Sequence, residues 1–566
     1  MIEVSGIQLS PRDMHGDKSA ETQACRAALL RRLHVAPDDI TSIVLQRRSI
    51  DARKKDRLKL NYTLRATLRG GANAERELLH RLEHCHDKSG VKQVEEVPLY
   101  WPYIEPTLLA HKRPVVVGAG CAGLFCALTL AEAGLKPILI ERGDDARRRS
   151  HVVNAFNHGA ELDRESNIQF GLGGAGTFSD GKLATGTKSP LHRLVLDTFV
   201  KAGASADILW DSHPHVGSDV LPQVVTHIAQ RICELGGELR CRCRMTNIIY
   251  KGTKGERRIT GIKVVQTLSD GTLREEQIDT NDVVLSCGHS ARDVFALLQD
   301  KDIALERKTF AMGVRIEHLQ ADVDRAQYGR FAGDPILGAA PYKLVAHLPP
   351  ELERIGGRSA FSFCMCPGGY VVAATSEKDA VVTNGMSFTA RDGINANSGL
   401  LANVFPDDLP GDDPLEGIKL QRSCEHKAFE LGGSNYAAPA QLVGDFLARQ
   451  PSTGAADVMP TYPRGVVWGE IDTCLPNYVS EVLRAAIPLM GRRLSCFNEE
   501  TAILTAAETR SSSPVRVIRG AGLQSVSCTG LWPAGEGAGY AGGIMSAATD
   551  GIRIATALVE SWKTTT

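Results

Sequence analysis

Apolar runs separated by short polar stretches divide the chain into segments typical of strands and helices. The clearest example spans 113–143, where three valines at 115–117 form a run long enough for one buried parallel strand. An alanine- and leucine-rich stretch follows and ends at Gly134, which suits a helix C-cap. A second apolar run ends at Glu141. The order strand, helix, strand predicts one βαβ unit.

Three glycines stand between the first strand and the helix of this unit. Gly118, Gly120 and Gly123 follow G-x-G-x-x-G spacing. In this pattern the first glycine permits a tight turn, the second leaves room for a pyrophosphate, and the third lets helix and strand pack closely. The helix N-terminus offers N–H groups to the phosphates, and Glu141 can accept hydrogen bonds from ribose hydroxyls. The unit therefore predicts a dinucleotide site, with an ordinary glycine-rich turn as the alternative.

The first 108 residues predict a separate small domain. Apolar patterns indicate strands at 2–9, 42–45, 58–68 and 91–99 and helices at 20–33 and 74–85. The order β-α-β-β-α-β predicts a ferredoxin-like, split βαβ fold. A linker is predicted at 102–114.

Residues 45–59 of this domain carry seven basic and two acidic side chains. A solvated hairpin face is the favoured interpretation. A surface for phosphate or nucleic acid is the alternative, and it lacks interleaved aromatic residues for base stacking.

Two further glycine triplets lack the complete context of the first. Gly171, Gly173 and Gly176 precede neither an apolar helix nor a closing strand, so they predict backbone that approaches a flat or charged group closely. The triplet within 537–542 joins an apolar strand to a C-terminal helix, whose N-terminus is expected to face a second part of the same cofactor.

The segments between these triplets complete the architecture. A helix is predicted at 219–235, a strand meander at 238–278 and a buried strand at 283–288, whereas 309–496 lacks further βαβ pattern. Within that last region the polar, glycine-punctuated stretches 361–377, 384–399 and 432–441 predict functional loops.

Together these patterns predict an α/β protein. It combines a Rossmann-like dinucleotide-binding domain, an inserted α+β substrate or cap domain, and the N-terminal ferredoxin-like α+β domain. The predicted boundaries are 1–108 for the N-terminal domain, 109–305 and 499–566 for the two parts of the dinucleotide-binding domain, and 306–498 for the cap domain.

Composition narrows the class of protein. The 566 residues include 65 lysines and arginines against 66 aspartates and glutamates, which gives no global attraction to nucleic acid or to an anionic membrane. The N-terminal segment lacks the pattern of a secretion signal, and no apolar run suggests a membrane span. The 14 cysteines are therefore expected to be reduced, in the cytoplasm. Cys241 and Cys243 lack a second ligand pair, so no metal site is predicted.

Several long motifs resemble one family. GGAGTFSDGKL, FCMCPGG, SFTARDGINANSG, ETRSSSPVR, PAGEGAGYAGGI and RRSIDARKK are similar to those of the FAD-dependent, or NAD(FAD)-utilising, dehydrogenases of the two-dinucleotide-binding-domain flavoprotein superfamily. The resemblance runs from about residue 40 to the end.

The resemblance implies three groups of FAD-binding residues. They are Gly118, Ala119, Gly120, Cys121, Ala122, Gly123, Glu141 and Arg142 at the adenosine diphosphate end, Gly173, Gly174, Gly176, Thr177 and Lys182 by the isoalloxazine, and Gly288, Gly535, Glu536, Gly542, Gly543 and Ile544 at the ribityl and flavin end. Glu536 stands where other branches of the superfamily commonly have aspartate.

An FAD-dependent oxidoreductase is the function this resemblance implies, with hydride or electron transfer between flavin and a small-molecule substrate. NADH or NADPH, if used as the donor, would dock transiently over the flavin or in the cap, because the sequence has no second complete nucleotide domain. The alternatives to this donor are a substrate that is itself the reductant and an electron-transfer partner that meets the N-terminal domain, and the oligomeric state stays open. The alternatives are an FAD-dependent RNA modification enzyme, although nucleic acid binding is not expected, and a non-catalytic flavin-binding sensor.

Five residues are candidates for catalysis, each with a structural alternative. Lys182 would stabilise reduced, anionic flavin. Cys364 and Cys366 would form a redox pair or an activated thiolate, although a structural or substrate-lining role is favoured. His215 and Arg510, with Glu508 beside the latter, would serve acid–base chemistry or carboxylate binding, or would be a packed histidine and a buried ion pair.

Overall fold

The computed structural model describes residues 1–14, 18–84, 89–95, 98–104 and 112–564. The N-terminal domain contains β1 (Ile2–Leu9), α1 (Lys18–Leu33), β2 (Ile40–Asp51), β3 (Lys59–Leu68), α2 (Gly71–His84) and β4 (Val91–Gln93). Its antiparallel sheet has the order β2-β3-β1-β4, which confirms the ferredoxin-like fold. The last strand is shorter than predicted, while residue 85 and most of the predicted linker, 105–111, lie outside the described residues.

The basic hairpin of this domain has a docked base and an exposed tip. In β2, the Arg48 N–H donates to the Trp210 carbonyl at 2.8 Å, and the Ser212 N–H donates to the Arg48 carbonyl at 2.9 Å. The Arg48 guanidinium also donates to the carbonyl of Ile336 in the cap region. Residues 53–57 at the tip are exposed. The second half of β2 pairs with β3 and also bonds, through Arg48, to Trp210 and Ser212 outside its own domain. These contacts explain why β2 is longer than predicted.

The dinucleotide-binding region is built on a five-stranded parallel sheet with the order β23-β11-β5-β6-β7. A three-stranded antiparallel meander, β10-β9-β8, crosses over between β7 and β11. The elements are β5 (Val115–Val117), α3 (Cys121–Glu132), β6 (Ile138–Ile140), α4 (Ala146–Asn157), α5 (Leu191–Lys201), α6 (Leu221–Glu234), β7 (Glu238–Arg240), β8 (Cys243–Lys251), β9 (Arg258–Thr267), β10 (Leu273–Asp279), β11 (Val283–Leu285), α7 (Arg292–Asp300), β12 (Leu305–Arg307), β22 (Val515–Val517), β23 (Leu531–Pro533) and α12 (Ile544–Thr564). This sheet confirms the Rossmann-like prediction.

The C-terminal segment is an integral part of this sheet. β23 pairs with β11, so the chain returns to the first half of the domain after the cap region. Two indole N–H groups, of Trp532 on β23 and Trp562 on α12, donate to the buried Asp282 carboxylate at 2.9 and 3.0 Å. Their shared acceptor fixes α12 relative to the sheet.

The cap region contains a seven-stranded mixed sheet with the order β14-β15-β18-β13-β21-β19-β20 and a separate β16-β17 hairpin. Its elements are β13 (Phe310–Leu319), α8 (Gln320–Tyr328), β14 (Val345–His347), β15 (Ser359–Cys366), β16 (Gly369–Ala373), β17 (Thr383–Ser387), β18 (Asn395–Val404), α9 (Glu416–Leu431), β19 (Ala438–Leu442), α10 (Val443–Ala448), β20 (Val466–Trp468), α11 (Asn477–Gly491) and β21 (Ile503–Glu508). The cap sheet extends past the boundary predicted at 498/499, because β21 lies between β13 and β19 in this sheet.

Two of the predicted functional loops are largely strands. Residues 361–377 include most of β15 and all of β16, and 384–399 include most of β17 and the start of β18. These strands are polar and rich in glycine because they enclose a buried polar cluster. A composition of this kind is also typical of loops, which is why the sequence predicted loops here. At Gly385, for example, a Cβ would lie 2.2 Å from the Asn397 Oδ1. Small residues are needed there so that polar side chains fit between the sheet and the hairpin.

Candidate active site

A cavity of about 370 Å³ lies between the carboxyl ends of the parallel strands and the cap sheet. Its floor is formed by the turns that follow β5, β11 and β23, where ligands of open α/β sheets bind. Its opposite wall includes Phe363 and Cys364 of β15 and Asn384 of β17. The cavity therefore joins the dinucleotide turn to the cap region.

Most of the predicted cofactor residues line this cavity. They are Gly118, Gly120, Cys121, Ala122, Glu141, Arg142, Gly173, Gly174, Gly176, Lys182, Gly288, Glu536, Gly542, Gly543 and Ile544. Four other predicted residues do not line the cavity: Ala119, Gly123, Thr177 and Gly535. Thr177, for instance, is buried and directs its hydroxyl to the Leu172 carbonyl at 3.5 Å.

The three fingerprint glycines differ in what surrounds them. Gly118 has a φ of +96°, and a Cβ there would lie 2.6 Å from the Ser286 carbonyl oxygen. A Cβ on Gly123 would lie 1.8 Å from the Gly118 oxygen, whereas a Cβ on Gly120 would meet nothing closer than the Gly174 Cα at 3.8 Å. The turn thus requires two glycines for its own packing and leaves open space at Gly120. The open side faces the N-terminus of α3, which is the cradle that a pyrophosphate needs.

Glu141 has a structural role besides the predicted ribose contact. The buried carboxylate accepts hydrogen bonds from the Ala119 N–H at 2.8 Å and from the Gly143 and Gly171 N–H groups at 2.9 Å each. It therefore ties the fingerprint turn to the second glycine triplet. A carboxylate has about four lone-pair sites, so acceptor capacity remains for a ribose hydroxyl in the cavity.

The second glycine triplet packs against the first. The Gly173 N–H donates to the Ala119 carbonyl at 2.8 Å, and a Cβ on Gly174, at φ +63°, would lie 3.0 Å from the Gly120 Cα. The close approach predicted for this segment is thus a backbone-to-backbone contact that also shapes the cavity wall.

Arg142 is anchored beside the cavity. Its guanidinium pairs with Glu165 at 2.8 Å and Asp293 at 2.9 Å and lies over the Phe170 ring, 4.3 Å from the centroid. Its charge is therefore largely compensated before any ligand binds.

Glu536 and His289 bring a titratable pair to the floor of the cavity. Burial raises the pKa of Glu536 to about 7, and burial lowers the pKa of His289 to about 4. The His289 Nε2 lies 2.9 Å from the Arg510 carbonyl and therefore carries the proton that it donates. Its unprotonated Nδ1 lies 4.0 Å from the Glu536 carboxylate. Glu536 can thus gain or lose a proton near neutral pH inside the cavity.

Lys182 projects into the cavity from the segment after the second triplet. Its ammonium lies 3.2 Å from the wholly buried Asp180 carboxylate and donates to the Met365 carbonyl. Burial alone would lower the pKa of Lys182, but its thiol and carboxylate neighbours raise it. Asp180 also pairs with Arg391, and these two cations lower the pKa of Asp180 to about 2 despite its burial. The lysine is therefore held as a cation.

His215 lies behind Lys182 and does not line the cavity. Its backbone forms a bridge with that of Lys182, and its Nε2 lies 3.2 Å from the Thr389 carbonyl. Burial lowers its pKa. These contacts support the packed-histidine alternative over a catalytic role.

Cys364 and Cys366 have different environments. Cys364 is half-buried, lines the cavity and has a φ of +42°, while Cys366 is fully buried. The Cys366 thiol donates to the Cys364 carbonyl at 3.2 Å. The neighbouring Cys366 thiol and the charges of Lys182 and Arg315 lower the pKa of Cys364 to about 5, whereas burial raises the pKa of Cys366. Both cysteines are free. These environments favour the thiolate form of Cys364 and the thiol form of Cys366.

Arg315 supports this arrangement and was missed by the sequence analysis. It is completely buried on β13 and donates to the carbonyls of Phe363 at 3.4 Å and Cys364 at 3.1 Å. Its Nε lies 2.9 Å from Glu508, whose pKa burial raises to about 8. Arg315 therefore brings a buried positive charge to the backbone of Cys364. A lone arginine within the apolar run 310–316 was the available signal.

Arg510 belongs to a buried ion network. Its guanidinium makes two hydrogen bonds to Glu425, at 3.0 and 2.7 Å, and Arg292 makes two to the same carboxylate, at 2.8 and 2.7 Å. Arg510 also donates to the Ser376 hydroxyl at 2.6 Å. Although Arg510 borders the cavity, its donors are committed, which supports the ion-pair alternative over carboxylate binding by Arg510.

Among the described helices, none combines the length and hydropathy needed to cross a membrane. The localisation in the cytoplasm stays a prediction.

Comparisons with known proteins match three parts of the chain to family models. The model described as FAD-dependent protein, C-terminal domain-like, matches residues 309–511, and an FAD binding domain model matches 113–157. A domain of unknown function matches 1–67. The first match ends close to β21, in agreement with the extent of the cap sheet.

Relatives with solved structures share little sequence. A flavoprotein/dehydrogenase from Cytophaga hutchinsonii is 12% identical with a TM-score of 0.35, and a geranylgeranyl bacteriochlorophyll reductase-like protein from Thermoplasma acidophilum is 13% identical with a TM-score of 0.35. Each covers 80% of this chain and 79% of its own. CtdE, solved in complex with FAD, is 10% identical, with a TM-score of 0.28 and coverage of 80% and 84%.

The sequence matches decide the family. An uncharacterized protein of Clostridium beijerinckii is 41% identical over 565 residues, 99% of either chain. The FAD binding domain model coincides with the fingerprint turn, and the cradle at Gly120 fits a pyrophosphate. The chain therefore belongs to the same family as this relative, a family of FAD-dependent proteins, and FAD is its cofactor.

Proposed function

We propose that the protein is an FAD-dependent oxidoreductase that exchanges electrons with a small-molecule substrate bound at the cap end of the cavity. The observation that carries this proposal is the continuity of the cavity. Its floor contains the dinucleotide turn, and its opposite wall contains Cys364 and Asn384, beside Lys182. Bound FAD supplies two-electron chemistry at its isoalloxazine ring.

The residues of the chain supply charge and protons. Lys182, held as a cation against Asp180, stabilises negative charge that develops beside it. Glu536, with its pKa near 7, can hold or release a proton at the floor of the cavity. Gly118, Gly120 and the N-terminus of α3 bind the pyrophosphate, and Glu141 orients the ribose.

NADH or NADPH is the electron donor that we propose, docking transiently near the cap. Among the described residues, only the turn after β5 leads through a helix into a parallel strand that ends in an acidic residue. A second nucleotide would therefore bind without a dedicated domain of its own. A cytoplasmic location, where these donors occur, fits this proposal.

The test is anaerobic mixing of the FAD-loaded protein with NADH and, separately, NADPH. Loss of the visible flavin absorbance within seconds with one nucleotide supports the proposed donor. A flavin that neither nucleotide bleaches, but that dithionite bleaches readily, contradicts it and moves the search to substrates that reduce the flavin directly. A flavin that no reductant cycles supports the sensor alternative.

The basic hairpin supplies no comparable support for RNA modification. Its base is an interdomain contact through Arg48, and its tip, although exposed, accepts a hydrogen bond from the Arg330 guanidinium of the cap region at the Asp56 carbonyl.

A further inference from the structure

The C-x-C pair on β15 has a geometry that a purely structural pair does not need. In a regular strand, residues two apart point to the same face. Here the register of β15 against β18 shifts between Phe363 and Cys366, and Cys364 takes a left-handed φ of +42° that is strained for a side chain with a Cβ. The irregularity brings Cys364 into the cavity wall, and the Cys366 thiol donates to the Cys364 carbonyl at 3.2 Å, which keeps the two cysteines together.

Two cations, Lys182 and Arg315, lie near the half-buried Cys364 and contribute to the low pKa of its thiol. Lys182 lines the same part of the cavity, and its ammonium is fixed by the carbonyl of Met365, the residue between the two cysteines. Arg315 approaches from below and holds the Cys364 carbonyl at 3.1 Å. A thiolate in an electropositive, partly exposed environment is the nucleophilic form of cysteine. The buried neighbour Cys366 remains protonated, which is the state of a second thiol that reacts later.

We propose that Cys364 and Cys366 form a thiol–disulfide exchange centre, and that its substrate is a small organic disulfide that enters from the cap end of the cavity. Cys364 is the attacking residue and Cys366 the resolving one. Arg315 is a positioning residue that fixes the backbone of Cys364.

The reaction balances without the flavin. The Cys364 thiolate attacks one sulfur of R–S–S–R, the substrate S–S bond breaks, and a Cys364 mixed disulfide forms while RS⁻ leaves and takes a proton from solvent. Cys366 then attacks the Cys364 sulfur, its proton passes to the second RS⁻, and the Cys364–Cys366 disulfide forms. Two protein thiols are oxidised, and one disulfide is reduced to two thiols. This activity goes beyond the proposed function, because neither step requires a reduced flavin.

The test is exposure of the reduced holoprotein to dithiodiglycolate without any flavin reductant, followed by acid quench, alkylation and tryptic mass spectrometry. Arg358 and Lys378 bound a tryptic peptide, 359–378, whose only cysteines are this pair. In the wild type we expect the peptide to lose two hydrogen atoms. In Cys366→Ser we expect it to carry one mercaptoacetate on Cys364.

A second variant and an internal control complete the test. In Cys364→Ser, peptide 359–378 should stay unmodified over the time in which the wild type reacts, because Cys366 is fully buried and the pKa of its thiol is raised. The exposed Cys233 serves as an internal control for active reagent. A peptide 359–378 that stays unmodified in both wild type and Cys366→Ser while Cys233 reacts would overturn the proposal. Even if Cys364→Ser fails to fold, those two proteins decide the question, and neither outcome depends on the NADH and NADPH test.

Discussion

Replacing Gly120 with alanine adds one methyl group on the open side of the dinucleotide turn. The added Cβ has no protein atom closer than the Gly174 Cα at 3.8 Å, an ordinary van der Waals distance. Gly120 is also the N-cap of α3, with φ −74° and ψ −176°, which alanine adopts without strain. We therefore expect the free energy of unfolding of the apoprotein to change by less than about 1 kcal/mol.

FAD binding should respond very differently. The methyl group occupies the space in which the pyrophosphate meets the N–H groups of α3, so at least one charge-assisted hydrogen bond is lost. Such a bond contributes about 1.5–3 kcal/mol, which corresponds to a roughly 10- to 150-fold increase in Kd. The assay is titration of apoprotein with FAD by flavin fluorescence, with Gly186→Ala as the matched control, since a Cβ there meets nothing within 4 Å. A Gly120→Ala protein that binds FAD as tightly as the wild type would refute the placement of the pyrophosphate.

Three other predictions follow from single positions. Gly123→Ala places a Cβ 1.8 Å from the Gly118 backbone oxygen, so the apoprotein itself should be destabilised. Calorimetry should show a lower Tm, and an unchanged Tm would contradict the close packing of Gly123 against this oxygen. Glu425→Gln leaves two buried guanidinium groups, of Arg292 and Arg510, with Glu377 as their one remaining carboxylate partner among the described residues, and it should lower the free energy of unfolding by about 3 kcal/mol in urea. Because these arginines hold the pKa of Glu425 well below its usual range, its stabilisation is present above the unfolded pKa of about 4.3 and is lost as the pH falls further, so the difference between the two proteins should shrink in acid. Alkylation of Cys364 by iodoacetamide should be nearly constant from pH 8 to pH 6, since its pKa is about 5, whereas an ordinary thiol slows by about 80-fold; an 80-fold drop on peptide 359–378 would show an unperturbed cysteine.

The sequence predicts the parts of the fold that local pattern determines. The βαβ unit is recognisable because its strands are buried on both faces and therefore read as apolar runs, and because Gly118 and Gly123 are required by contacts within the turn itself. The same holds for the N-terminal domain, whose helices and strands alternate at short range.

The strands of the cap region could not be predicted from local pattern, and the reason is physical. Its central strand β18 is buried along nearly its whole length yet begins with Asn395, Asn397 and Ser398, because the sheet encloses a polar cluster. Local composition cannot show that Asn397 faces Arg315 from another strand. The assignment of 384–399 to a loop fails for this reason.

The two ends of the candidate site also differ in how well the sequence predicts them. The cofactor end was predictable, since a phosphate cradle is encoded in consecutive residues. The cap end depends on contacts far apart in the chain, such as Lys182 with Met365 or Arg315 with Cys364. Only the fold reveals which of Cys364 and Cys366 faces the cavity.

The central claim is that one cavity holds FAD through the turn after β5. The most direct measurement is reconstitution of the apoprotein with FAD and, in parallel, with FMN, which lacks the adenylate that Glu141 and the glycine turn are placed to bind. We expect one FAD per chain retained through gel filtration and no retention of FMN. Equal retention of both, or of neither, would contradict the account.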